Sequence, residues 1–263
     1  MTPESPVGIP EITGMVASYL KGKDLSSCLR VSKGWRNSFL PYRWGVISVG
    51  TKPSKYSSIP RDSPRYRFGP HPTDIYRYRH LIHNLSLYGD TAGLDKYHYP
   101  NVRELTIDYD YDAEDSEREV FLELTEMFPS LVHLNIHLVT LNSPSWLALS
   151  VHPNISCLTL LDVEIEETDV ARLWTVCTRL TALRLQLVTV DSSLIPDGAV
   201  FNRLGGIDIE NKDVLDTQDN LDLILRCPNL RYLLWLENHY FKEDELPSLY
   251  SKGSGTDAES LPS

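Results

Sequence analysis

Between Ile82 and Trp235 the phrase apolar-x-x-apolar-x-apolar occurs seven times, and this recurrence limits the possible folds more than any other feature of the chain. The copies are Ile82/Leu85/Leu87, Val102/Leu105/Ile107, Leu131/Leu134/Ile136, Ile155/Leu158/Leu160, Leu180/Leu183/Leu185, Leu204/Ile207/Ile209 and Leu230/Leu233/Trp235. Their starts are 20, 29, 24, 25, 24 and 26 residues apart. In each copy the fourth and sixth positions are apolar and alternate with mostly polar neighbours, as a strand buried on one face requires. A single unit cannot bury that face alone. Neighbours must stack, which predicts a curved body with one short strand per repeat and a helical or irregular return. The third, fifth and seventh positions of each copy then face the open, concave side of a parallel sheet.

The returns carry a repeat of their own. Three residues before each start after the first stand Tyr99, Phe128, His152, Cys177, Phe201 and Cys227. Val170, Leu173, Trp174 and Cys177 follow at helical spacing behind the capping candidate Thr168, and Leu221, Ile224 and Leu225 suggest a second helical return. The return from Asp191 to Phe201 contains Pro196 and Gly198 and is expected to be irregular.

The first fifty residues have a different rhythm. Ile12, Met15, Val16, Tyr19 and Leu20 form one helical stripe after Pro10, with Gly22 as its stop; Leu25, Cys28 and Leu29 form a second behind Asp24 or Ser26; Trp35, Phe39 and Leu40 form a third that ends near Pro41 and Trp44. Three helices in about forty residues enclose a core that ordinarily needs a partner or a neighbouring domain.

The segments IPEI, YL, DLSSCLRVSKGW and LPYRW, in that order over residues 7–46, resemble an F-box, and the repeat period resembles that of leucine-rich-repeat proteins. One departure is that Glu11 follows Pro10 directly, where the commoner F-box pattern inserts a residue. The resemblance implies binding to the Skp adaptor of a cullin-RING ubiquitin ligase through Ile9, Pro10, Ile12, Leu20, Leu25, Leu29, Val31, Trp35 and Trp44. It also implies that the repeats act as a substrate receptor in an SCF-type complex, with no catalysis in this chain. The expected fold class is α+β overall: a small all-α three-helix F-box over residues 7–46, a basic linker over 47–73, an α/β leucine-rich-repeat solenoid with a curved parallel sheet over 74–250, and a disordered tail over 251–263. The alternative is an interaction scaffold unconnected with ubiquitin, in which the helices merely cap the repeats.

Composition narrows the function classes. No apolar run approaches the ~20 residues of a membrane span, and the N-terminus lacks a basic, apolar signal region, so a cytoplasmic or nuclear protein is expected. Cys28, Cys157, Cys177 and Cys227 lie far apart without a CxxC pair, which favours small buried thiols over a disulfide or zinc site. The net charge of −11 is uneven: residues 1–80 carry 13 Lys+Arg against 5 Asp+Glu, and residues 81–263 carry 12 against 31. An acidic solenoid points away from nucleic acid and towards a protein client, and its charge would steer a basic one inward.

Candidate client-binding residues on the concave positions are Glu104, Asp108, His133, His137, Arg184, Asp208, Glu210, Tyr232, Leu234 and Leu236. Asp108, Asp110, Asp112, Ser116 and Glu119 have the spacing of an EF-hand loop, but Ala113 stands where the turn needs glycine, so a solvated acidic loop is preferred. His133 and His137 would lie roughly 13 Å apart on one strand, too far to share an ion. No catalytic or cofactor fingerprint stands out, and no cofactor or metal is expected. Phe241, Leu246, Leu249 and Tyr250 could cover the apolar strip at Tyr232, Leu234 and Leu236.

Overall fold

The structure is a computed structural model that describes residues 9–50, 72–88, 97–108, 124–138, 140–141, 143–165, 167–188, 195–211 and 223–237. Three helices come first: α1 (Pro10–Tyr19), α2 (Gly22–Cys28) and α3 (Lys33–Trp44). The main sheet follows as β1 (Val46–Gly50), β2 (Asn84–Tyr88), β3 (Glu104–Asp108), β4 (His133–His137), β6 (Cys157–Leu161), β8 (Ala182–Gln186), β9 (Gly206–Asn211) and β10 (Tyr232–Glu237). These eight strands are all parallel and neighbour one another in chain order. The returns hold α4 (Pro72–Tyr78), α5 (Leu124–Met127), α6 (Ser143–Val151) and α7 (Glu167–Cys177), with β5 (Thr140–Leu141) and β7 (Glu164–Ile165) pairing as a small second sheet. The architecture is α+β, a parallel-sheet solenoid.

Register and repeat coincide. Asn84, Glu104, His133, Cys157, Ala182, Gly206 and Tyr232 are successive partners across the sheet, each the third residue of its phrase. A slip of one residue would turn every apolar side chain out of the core, so the alternation itself enforces this alignment. The residue ahead of each strand accepts two backbone N–H bonds from the next repeat: Gly45 from His83 and Asn84, His83 from Arg103 and Glu104, Arg103 from Val132 and His133, and so on to Gly205 from Arg231 and Tyr232.

Behind the sheet the predicted ladder Tyr99, Phe128, His152, Cys177, Phe201 and Cys227 is buried from end to end. Tyr99 stacks on Phe128 with ring centroids 5.4 Å apart, and Trp174 meets Phe201 at 5.9 Å. Polar side chains just before the phrase starts join neighbouring returns. Asn101, Asn154 and Asn229 donate to the carbonyls of His80, Pro129 and Asn202, and the Arg179 guanidinium reaches those of His152 and Leu149. Leu138, Asp162 and Leu187, each the residue after its strand, all have positive φ near 55°, so three consecutive repeats turn outward through the same left-handed bend.

Three expectations change. The segment from residue 47, expected to be linker, begins with a strand, because Trp44-x-x-Ile47-x-Val49 is an eighth copy of the phrase and Ile47 pairs with Leu85. In the second helical return Leu223 and Cys227 are buried while Leu225 is exposed, so the inward stripe is shifted from the expected one. Gly22 opens α2 and does not merely stop α1, and Lys21 occupies its cap position.

The three helices have a separate, smaller core of Ala17, Leu25 and Phe39, with Leu20, Cys28, Leu29 and Trp35 partly buried around it. Ser32 caps α3 by accepting the Trp35 N–H at 3.2 Å, and Arg43 Nε donates to Ser26 Oγ at 3.2 Å to join α3 to α2.

Candidate interaction surfaces

Helix α1 packs on its small side. Thr13 and Ala17 are buried, and Gly14 lies so near α3 that a Cβ there would sit 3.0 Å from the Tyr42 hydroxyl. The large apolar residues, spaced for the opposite face, look outward: Ile12 is 37%, Val16 43%, Met15 61% and Tyr19 83% exposed. Ile9, Pro10 and Val31 are exposed as well. A row of this kind on so short a helix is apolar surface that atoms of a partner could cover.

The remaining residues expected to contact the adaptor do other work. Leu25 is in the small core, and Leu20, Leu29 and Trp35 pack around it. Trp44 is a correction of a different sort: it is buried in the solenoid core, with its ring 4.4 Å from that of Tyr78, because it occupies the first position of the first repeat. Leu25 and Trp44 thus offer no surface to a partner. Sequence reasoning left Met15, Val16 and Tyr19 out of the site although it had grouped them on one stripe; the signal was the run of small residues, Thr13, Gly14 and Ala17, on the other side.

The concave face divides in two. Towards β2 to β4 it is closed: Ser48, Tyr88, Thr106, Asp108 and His137 are buried. Asp108 and His137 were expected on the open surface and are instead a buried pair, Asp108 Oδ2 to His137 Nδ1 3.6 Å. They and Tyr88 occupy adjacent register positions, so three large side chains shield one another. The EF-hand spacing loses its first ligand to this pair, and its other positions lie outside the described residues. Glu104 is half-buried and accepts a 2.5 Å bond from Asn84 Nδ2, and Asn135 Nδ2 donates to Thr106 Oγ1 at 3.2 Å.

Towards β10 the face is open. In the third-position row Cys157, Ala182 and Gly206 are small, with exposed His133 on one side and Tyr232, 55% exposed, on the other. This makes a shallow trough across three strands. Beside it Arg184 Nε meets Asp208 Oδ2 at 2.8 Å, and Leu234 is half-buried. Glu210 and Leu236 fall on β9 and β10, but their side chains, like the covering segment expected at 241–250, lie outside the described residues. No protein-family model matches the chain, and no curated protein matches it.

The titratable groups behind the sheet are structural. His152 has no exposure; its Nε2 lies 3.1 Å from the Phe128 carbonyl, and Nδ1 accepts the Asn154 N–H at 3.3 Å. These contacts select the neutral tautomer with the proton on Nε2. Burial lowers its pKa from the ordinary 6.5; the bond to Phe128 opposes this and the Arg179 charge adds to it. Burial raises the Cys177 thiol, and pushes Cys227 up to about 11. Cys28 and Cys157 are only half-buried, contrary to expectation. Among the described residues no three His, Cys, Asp or Glu side chains converge to hold a metal, and no helix is long and apolar enough to cross a membrane.

Proposed function

We propose that this chain is a non-catalytic receptor subunit of an SCF-type ubiquitin ligase, in which the helical unit docks on the Skp adaptor and the repeats hold a client protein. The observation that carries the reading is the outward apolar row of α1 over a core of only a few residues, which suits a unit completed by a partner. The F-box resemblance over residues 7–46 gives that partner its identity. Ile9, Pro10, Ile12, Met15, Val16, Tyr19 and Val31 form the contact, while Leu25 and Phe39 hold the helices in place. The client lies along the open trough between His133 and Tyr232, and the complex acts by raising effective concentration, with no side-chain chemistry supplied here.

The burial of Trp44 in the solenoid supports a second reading, in which the helices cap the sheet of a scaffold unconnected with ubiquitin. Co-purification of the intact chain with the Skp adaptor separates the two. Stoichiometric binding, lost in a folded Met15→Ser/Tyr19→Ser variant, is expected for the receptor. A folded intact chain that fails to bind leaves the capped scaffold.

A further inference from the structure

The edge from which the strands of this solenoid start is basic. Segments leading into them carry Arg77, Arg79, Arg103, Arg203, Arg226 and Arg231, whereas the sequence just after them carries Asp110, Asp112, Glu164, Glu166, Asp213 and Asp216. The net charge of the solenoid conceals this division. The basic edge is densest at α4 and the entries to β2 and β3, where His80, His83, His98, Arg77 and Arg103 are exposed and Arg79 is half-buried. The carboxylates on these elements are few: Asp74 stands exposed in the first turn of α4, and Glu104 is tied to Asn84. Among the described residues no carboxylate forms an ion pair with Arg77, Arg79 or Arg103.

Two of these arginines are held by rings. The Arg79 guanidinium lies 4.1 Å from the centroid of Tyr76 and donates to the Tyr76 carbonyl at 2.7 Å. Arg77 lies 5.3 Å from the Tyr78 ring. Tyr76 also packs against Tyr97 at 4.9 Å, and Tyr78 against Trp44 at 4.4 Å. The backbone beneath is braced: Asn101 Nδ2 donates to the His80 carbonyl at 2.7 Å, and the Arg103 N–H to that of His83 at 2.8 Å. Guanidinium groups fixed in this way lose little freedom on binding and present planar donors that match a carboxylate.

We propose that this edge, around Arg77, Arg79 and Arg103, binds an Asp/Glu-rich segment of a partner protein. A carboxylate-rich peptide fits better than a nucleic acid because Tyr78 already packs on Trp44 and Tyr76 on Tyr97, which takes up ring surface that a single strand would use, and because the acidic remainder repels a long polyanion. The proposal is independent of the receptor reading, since α1 and the concave trough take no part in it.

The test is a fluorescence anisotropy titration of the full chain with three labelled probes: a short peptide of alternating Asp and Glu, a Gln peptide of equal length, and a single-stranded oligonucleotide. The acidic peptide is expected to bind and the Gln peptide not to, with affinity falling as salt shortens the screening length from about 10 Å at 0.1 M to 3 Å at 1 M. Arg77→Gln/Arg79→Gln/Arg103→Gln should bind about tenfold more weakly at an unchanged melting midpoint, as the loss of three surface charge contacts implies. Arg79→Lys, which keeps the charge and loses the planar group over Tyr76, should fall between, and Arg36→Gln on the helical unit should match the natural chain. Failure of the acidic peptide to bind, binding untouched in the triple variant, or tighter arginine-dependent binding of the oligonucleotide would each overturn the proposal.

Discussion

The solenoid and the helical unit solve the same problem of burial with very different means. Each repeat buries its strand and its ladder residue against two neighbours, so Tyr99, Phe128, Trp174 and Phe201 are all but fully removed from water in one continuous core. Among the described residues no element packs on the outer side of the helical unit. The unit closes over Ala17, Leu25 and Phe39 and leaves Met15 and Tyr19 in solvent. Nearest-neighbour stacking spreads stability along a chain of like units, whereas a unit of about forty residues keeps apolar surface that a partner can cover.

The sharpest way to break the contrast is Phe128→Ala, which removes a ring stacked on Tyr99 from the ladder. It should cost about 3–5 kcal/mol in denaturant unfolding and loosen repeats on both sides, as hydrogen exchange would show. Gly50→Ala acts at the end of β1, the first strand of the solenoid. Gly50 has φ of +133°, and an added Cβ would lie 1.8 Å from the Tyr88 carbonyl oxygen, so the β1–β2 pairing must yield. A loss of about 1–3 kcal/mol is expected, confined to the first strands if β1 is a true repeat.

A subtler effect belongs to His152. Its pKa in the folded chain lies below the ordinary 6.5, so the unfolded chain takes up the proton first. The stability from keeping the ring neutral is complete above that ordinary value and is lost as pH falls through it towards the folded pKa. Thermal midpoints measured across that range should fall less steeply with acid in His152→Phe, which gives the position an aromatic ring like its ladder neighbours. The smallest effect completes the comparison: Met15→Ser/Tyr19→Ser should change stability by no more than about 0.5 kcal/mol, since neither side chain is buried. A larger loss would mean that the outer row of α1 belongs to the fold of the unit and is not its surface.

Much of the solenoid was legible in the sequence because periodic burial leaves a periodic trace. The phrase positions located seven strands and their register, and the residue three before each start after the first located the buried ladder. The eighth copy at Trp44, Ile47 and Val49 was equally written there, but it overlaps the helical unit and stands 38 residues from the next, outside the period. The candidate surfaces were less legible. Alternation says which side chains leave the core, not which remain open, and so Asp108 and His137 could be placed on the concave face but not seen to shield each other.

By itself, then, the sequence determined the parallel strands, their register and the apolar ladder, since each depends on contacts repeated from one unit to the next. Only the tertiary structure decided that α1 packs by Thr13, Gly14 and Ala17, that Trp44 is buried in the solenoid core, and that the entry-edge arginines lean on Tyr76 and Tyr78. Those outcomes depend on single meetings between segments distant in sequence, where shape and close approach choose among faces that hydrophobicity leaves equivalent.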